Sequence, residues 1–241
     1  MKAPLLRASY GFLGAVLFFA VFGNLLFAHA PESISACVAG IRSTVVVAAA
    51  VVALSFFIGV SAAGVAALGP PTCDVLLSRF VEIASALPSV VVVAVVASVA
   101  RVSDVVSIAT VLGVSRGLQC AKVIRAELLQ LGAEDFVLAA RAAGIGEARL
   151  FRTHFLPHVT AGALSTAVMG AGAVVGLDAA GSFLGVFPGA GSWGSVLAEA
   201  ARRSSPALFI GPALGTALTV AALVVVSDSF AERTKVGRRL I

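Results

Sequence analysis

Five uncharged apolar runs recur along the chain, each long enough to cross a bilayer. Residues 8–28, 43–68, 83–100, 159–177 and 207–226 contain no Asp, Glu, Lys or Arg, and a helix needs about 20 apolar residues to cross roughly 30 Å of hydrocarbon. A sixth run, 105–121, holds Arg116 near its end and is flanked by Asp104 and Lys122, but its Val, Ile and Leu content fits a short span. The pattern predicts six transmembrane helices, at about 8–29, 43–68, 83–100, 105–121, 159–178 and 207–227, in a single membrane domain over 1–241. Lys2 and Arg7 precede the first run as they would in a cleaved leader. A leader's apolar region is about 7–15 residues, however, so the longer run here reads as an uncleaved helix.

Most predicted connections are brief: 30–40, 69–82 and 101–104. The exception is 122–158, which carries Lys122, Arg125, Glu127, Glu134, Asp135, Arg141, Glu147, Arg149 and Arg152. A long polar connection in a chain otherwise stripped of loops is where a function is displayed. Residues 123–131 have helical spacing of apolar positions. Residues 136–143 read as an Ala-rich helix stopped at Gly144, and 147–155 as a second helix closed by Pro157. The residues alone leave two readings of this elbow open, an amphipathic linker on lipid headgroups or a docking surface.

Composition agrees with the membrane assignment. The 241 residues are 59% hydrophobic and 12% charged, against roughly 45–50% and about 25% in soluble domains, which excludes an ordinary cytosolic enzyme. Basic residues then set the orientation, because cytoplasmic loops retain them. With the amino terminus inside, only Arg42, Arg101, Arg202 and Arg203 of the 17 Lys and Arg residues fall outside. Six spans return the carboxyl terminus to the cytoplasm as well. The net charge of +5 is thus mostly a topology signal, and no nucleic-acid module accompanies it.

Candidate chemistry is sparse. Cys37, Cys73 and Cys120 lack CxxC spacing and indicate neither a zinc site nor a disulfide framework. GAGSWG at 189–194 satisfies GxGxxG but follows no strand of a βαβ unit. GVSRG at 113–117 satisfies GxSxG but lies in an apolar run without His and Asp partners. His154 and His158 have the i,i+4 spacing of a metal pair but lack a third ligand. No GxxxxGK[ST] occurs, so ATP cannot be held by a P-loop of this chain. Small-xxx-small pairs such as Gly172 with Gly176 and Gly211 with Gly215 point to close helix packing. A carboxylate at the centre of a span costs roughly 2.5–3.5 kcal/mol. Asp178, at the outer end of the fifth run, is either solvated at the interface or a polar group at the mouth of a pathway.

The segment FVLAARAAGIGEARLFRTHFLPH, residues 136–158, resembles the cytoplasmic signature of binding-protein-dependent ABC importer permeases. Ala139, Ala140, Gly144, Leu156 and Pro157 occupy its Ala-Ala, Gly and Leu-Pro positions. Its surroundings resemble the dipeptide, oligopeptide and nickel permease subfamily. RFVEIASALPS at 79–89 is similar to a span opening RLVDILLALPS, AKVIRAELLQL at 121–131 to ARLVRAEVLSL, and Asp178, the SFLG at 182–185 and the SWG at 192–194 follow in order. The similarity runs from about residue 39 to 228. Two features depart from the pattern: the signature's usual Glu falls at Leu138, and the outside loop before the second span, which commonly carries a TDxxGRD-like stretch, is cut short.

The resemblance implies an all-α, type I importer permease with a cytoplasmic coupling helix between spans 4 and 5. Ala139, Ala140, Arg141, Gly144, Glu147, Leu156 and Pro157 would couple it to an ATPase, and Asp178 and Trp193 would stand at the outer mouth. The implied partners are a second, homologous permease, two cytoplasmic ATPase subunits that bind the ATP, an extracytoplasmic solute-binding protein and the bilayer of the bacterial inner membrane. This chain would hold no cofactor or metal and catalyse nothing. Peptide is the leading solute and nickel the second. Two other classes compete: an intramembrane enzyme, which would need paired polar groups inside the spans, and a secondary transporter, which would show inverted repeats and midplane charges.

Overall fold

The computed structural model describes residues 2–26, 32–100, 105–187 and 191–239. Among them no strand occurs. The chain forms α1 (Lys2–Leu26), α2 (Glu32–Leu68), α3 (Pro71–Ala86), α4 (Ser89–Ala100), α5 (Val105–Gly132), α6 (Asp135–Ala142), α7 (Glu147–Leu150), a π-helical turn (Phe151–Phe155), α8 (Leu156–Phe183), α9 (Trp193–Arg202) and α10 (Pro206–Arg239). Four stretches are long and apolar enough to cross a membrane: Pro4–Gly23, Cys37–Leu68, Glu147–Phe183 and Leu208–Glu232. This all-helical membrane architecture agrees with the class read from the apolar runs.

Several expected boundaries change. The run 83–100 is not one helix, because the chain is extended at Leu87 (φ −78°, ψ 129°). Proline's Cδ crowds the residue before it out of the α region, and Pro88 follows Leu87. What remains beyond the break, α4, is 12 residues long, about 18 Å. The stretch 69–82, expected as a loop, is mostly α3, with Pro71 in its first turn where a missing N–H costs nothing. Most of 30–40 is also helical, since α2 begins at Glu32. The last residues expected in the first span, 27–29, lie outside the described residues. The fourth run continues as α5 to Gly132; Arg116, Gln119 and Lys122 make it less apolar than the four long stretches.

Close packing rests on small residues. A Cβ on Gly113 would meet Leu54 Cβ at 3.1 Å, and one on Gly117 would meet Ile58 Cβ at 2.9 Å. The GVSRG segment is therefore a groove on α5 that receives α2, and Ser55 Oγ donates to Gly113 O across it at 3.5 Å. Helix α8 lies against α10. Ser165 Oγ donates to Ser227 O at 3.1 Å and Ser227 Oγ to Ser165 O at 3.0 Å, a reciprocal clasp of each buried hydroxyl on the other residue's backbone carbonyl. Such bonds contribute about 0.6 kcal/mol each in a bilayer. Gly172 faces Leu223 and Gly215 faces the ring of Trp193. Leu17, Phe18, Val21 and Phe22 on α1 and Phe57 on α2 point outward and exposed, as lipid-facing side chains do.

Candidate functional site

The elbow begins in α6. Asp135 stands in its first turn and Arg141 in its last, each complementing the helix dipole. Val137 and Leu150 are 0% exposed and sink into one apolar cluster with Leu128, Leu131, Phe155 and Val159. That cluster belongs to α5, α7 and α8, so the elbow is anchored on the bundle rather than hung from it. At its end, Gly144 N–H donates to Arg141 O at 2.9 Å and Ile145 N–H to Ala140 O at 3.1 Å. This is a Schellman cap, which requires a residue with positive φ, and Gly144 has φ +80°.

Two charges brace the turn. Arg141 Nε donates to Glu147 Oε1 at 2.7 Å and Nη2 to Oε2 at 3.2 Å, while Nη1 reaches Gly132 O at 3.4 Å. By donating this fork the guanidinium holds the Glu147 carboxyl below its usual range, and the carboxylate raises Arg141 in return. Both side chains, expected to reach toward a partner, are thus paired first with each other. Sequence spacing could not show this, because the two face across a glycine turn and not along one helix.

Pro157 does not close a helix, contrary to expectation. The chain runs helically through it from Glu147 to Phe183. Leu156 N–H donates to Phe151 O, the five-residue spacing of a π-turn. Proline removes one N–H and crowds the preceding turn, and a widened turn just upstream accommodates both defects. Leu156 is half-buried and Pro157 exposed. His154 stacks obliquely against Phe136 at 5.7 Å. Among the described residues no three His, Cys, Asp or Glu side chains converge as a metal site needs.

The face left open is built of small residues, with charged side chains such as Arg149 and Arg152 exposed beside them. Ala139, Ala142, Ala143, Gly144, Gly146 and Ala148 are exposed, and Leu138, at the signature's Glu position, is 51% exposed on the same outer surface; Ala140 turns partly inward. Behind the elbow lies a cavity of about 330 Å³, lined by Asp74, Arg125, Arg141, Glu147 and apolar residues of α2 and α5. Arg125 Nε and Nη2 donate to Asp74 Oδ1 and Oδ2, both at 2.7 Å, clamping α3 to α5. Arg125 lowers the Asp74 carboxyl. The sequence reading missed this pair, whose members lie on different helices far apart in the chain.

At the other end of α8, Asp178 is 3% and Trp193 4% exposed. Neither is solvated. Trp193 Nε1 donates to Cys37 O at 3.2 Å, and its ring lies where side chains on Gly40 and Gly215 would otherwise stand. Asp178 Oδ1, Ser182 Oγ and Ser192 Oγ are buried without a hydrogen-bond partner. Helix α9, which the sequence reading did not predict, carries Trp193 into this corner.

Residues 55–235 match the family of binding-protein-dependent transport system inner membrane components. The chain is 33% identical over 196 residues to a protein of Brucella ovis named as a peptide permease, covering 78% of this chain and 64% of the relative. It is 32% identical over 164 residues to a peptide transport system permease of Brucella suis, with 67% and 55% covered. Against a dipeptide transport system permease of Alkalihalophilus pseudofirmus it is 27% identical over 162 residues, with 64% and 52% covered. The matched stretch thus spans less than two thirds of each of these relatives.

Proposed function

The chain belongs to the family of binding-protein-dependent transport system inner membrane components, and on that premise we propose that it is the permease subunit of an ATP-driven importer. It forms half of a pathway for a small solute, with peptide ahead of nickel, because the relatives are named as peptide permeases. A second, homologous permease supplies the other half. Two cytoplasmic ATPases supply the energy, and an extracytoplasmic binding protein delivers the solute. The chain itself holds no nucleotide or cofactor and has no enzymatic activity.

One observation carries the reading: the elbow presents a smooth, small-residue surface on a rigidly anchored base. A lipid-lying linker needs a continuous apolar outer stripe, whereas this outer face sets a single exposed leucine, Leu138, among Ala and Gly positions with Arg149 and Arg152 beside them, the turn held in shape by Arg141–Glu147 and the Gly144 cap. Such a surface fits into a groove of a partner protein. In this proposal Ala139, Ala140, Arg141, Gly144, Glu147, Leu156 and Pro157 form the coupling site, and Asp178 and Trp193 form the closed outer end of the pathway. The domain is a single unit of six spans, in which α3 and α4 together make the third, since α4 alone is too short to cross, and α5 makes the fourth.

Purification from its own membranes is expected to bring a P-loop ATPase with the chain, and ATP hydrolysis is expected only in its presence. ATP turnover by the chain freed of all partners, or the lack of any associated ATPase, refutes the proposal. Topology is tested separately. Reporters fused after Arg125 and at the carboxyl terminus should read cytoplasmic, and one near Ser192 external. A cytoplasmic readout near Ser192 removes the six-span arrangement.

A further inference from the structure

Arg116 is a positive charge inside the bundle with no carboxylate beside it among the described residues. It lies about 16 Å along α5 from Val105, near the middle of a hydrocarbon layer roughly 30 Å thick. Its stem packs over α8, with Cδ 3.7 Å from the place a Cβ on Gly170 would occupy. The bare backbone at Gly170 therefore leaves the guanidinium room between the two helices. Nη1 donates to Gln119 Oε1 at 2.9 Å, but Nε is buried without an acceptor. Among the described residues no acidic side chain forms an ion pair with it.

The stripe on which Arg116 stands explains where it looks. Leu112 and Ile108, one and two turns earlier, are buried; Arg116 and Gln119 are half-buried; Val123 is exposed. The stripe thus leaves the core of this chain at the level of Arg116. Lipid tails offer no acceptor there, and headgroups about half a bilayer away exceed the reach of an arginine stem. A guanidinium presents five donors in a fork that matches a carboxylate, and Gln119 accepts only one of them.

We infer that Arg116, held in place by Gln119, binds a carboxylate that comes from outside this chain, namely that of the solute in transit. The inference rests on the importer reading above and assigns it a substrate class: solutes with a free carboxylate, such as the terminus of a peptide. The Gln119 amide engages Nη1 and leaves the remaining Nη donors for a two-point contact. A carboxylate on the second permease would have the same chemistry, so the test separates the two sources.

The transporter, purified with its partner subunits and reconstituted into vesicles, is offered trialanine and trialanine amide, which differ at the terminal carboxylate. Arg116→Met is expected to lower trialanine uptake about tenfold or more, to leave the amide within about twofold, and to preserve both subunit association and binding-protein-stimulated ATP hydrolysis. Arg116→Lys, which keeps the charge but not the fork, should restore trialanine uptake only in part. Should Arg116→Met fail to accumulate, Arg116→Gln carries the same comparison. An unchanged trialanine-to-amide ratio overturns the inference. So does an equal loss of both peptides, or loss of the second permease from the complex, either of which assigns the carboxylate to the partner. Wild-type vesicles that import neither peptide defeat the peptide reading and this assignment together, and that result is visible before any variant is compared.

Discussion

Gly144→Asp is expected to abolish solute uptake, by tenfold or more, in protein that reaches the membrane at close to wild-type abundance. The reasoning separates two costs. Gly144 has φ +80°, yet a Cβ built there meets nothing within 4 Å. Inside this chain the substitution therefore costs only backbone strain, on the order of 1 kcal/mol, and Asp is among the residues that tolerate this region best. Folding should survive. A groove packed around the bare turn to interior density would not admit the side chain, so any large loss of transport must arise from a partner. Leu138→Glu is the control, because it places a charge on an exposed position of α6 without disturbing the cap. The measurements are uptake normalised to membrane abundance and ATPase copurification for each variant. Wild-type uptake by Gly144→Asp would leave the elbow as a linker.

The largest expected effect on stability is at Gly194. A Cβ there would lie 2.8 Å from both C and Cα of Ala179, with the carbonyl oxygen nearer still. These are backbone atoms of α8 near its carboxyl end and cannot swing aside. Gly194→Ala must push α9 off α8, and Trp193 next to it would lose its fit between Gly40 and Gly215 along with its bond to Cys37 O. Overpacking of this kind costs about 1–3 kcal/mol, occasionally more. Thermal unfolding in detergent should show a clear drop relative to Gly64→Ala, where nothing stands within 4 Å and helix propensity improves. Equal stability of the two variants would mean that α8 and α9 do not approach so closely in the membrane.

Legibility in the sequence followed the range of the interaction. The apolar runs that became α1, α2, α8 and α10 were readable because span length is a property of one stretch. So was the stop at Gly144, where the cap depends on one residue type and its neighbours. The break at Leu87 was also legible in principle, since Pro88 forbids helix before it, but the apolar content of 83–100 masked it. Pro157 misled in the opposite sense: a proline near a helix start is tolerated when the turn before it widens, and Phe151–Phe155 supplies that width. Arg141 and Glu147 were picked as site residues, but their mutual fork was not foreseen. Asp74 with Arg125 was missed altogether, because that pairing depends on how α3 lies against α5. Helix α9 escaped notice although Trp193, Val196, Leu197 and Ala200 stand at i, i+3, i+4 and i+7, because at ten residues it is too short to stand out among runs of membrane-spanning length.

The widened turn ahead of Pro157 also has a mechanical consequence. A break at that proline would have let the elbow move independently of the helix beyond it. Instead Glu147–Phe183 is one 37-residue rod, about 55 Å long, with Arg149 and Arg152 near one tip and Asp178 near the other. A rod converts small angles into large displacements: tilting it by about 5° around its elbow end would carry the far tip through about 5 Å, roughly the spacing of one helical turn. Anything that grips the elbow therefore acts on the distant end as a hand does on a lever, with no chain of intermediate rearrangements needed between them.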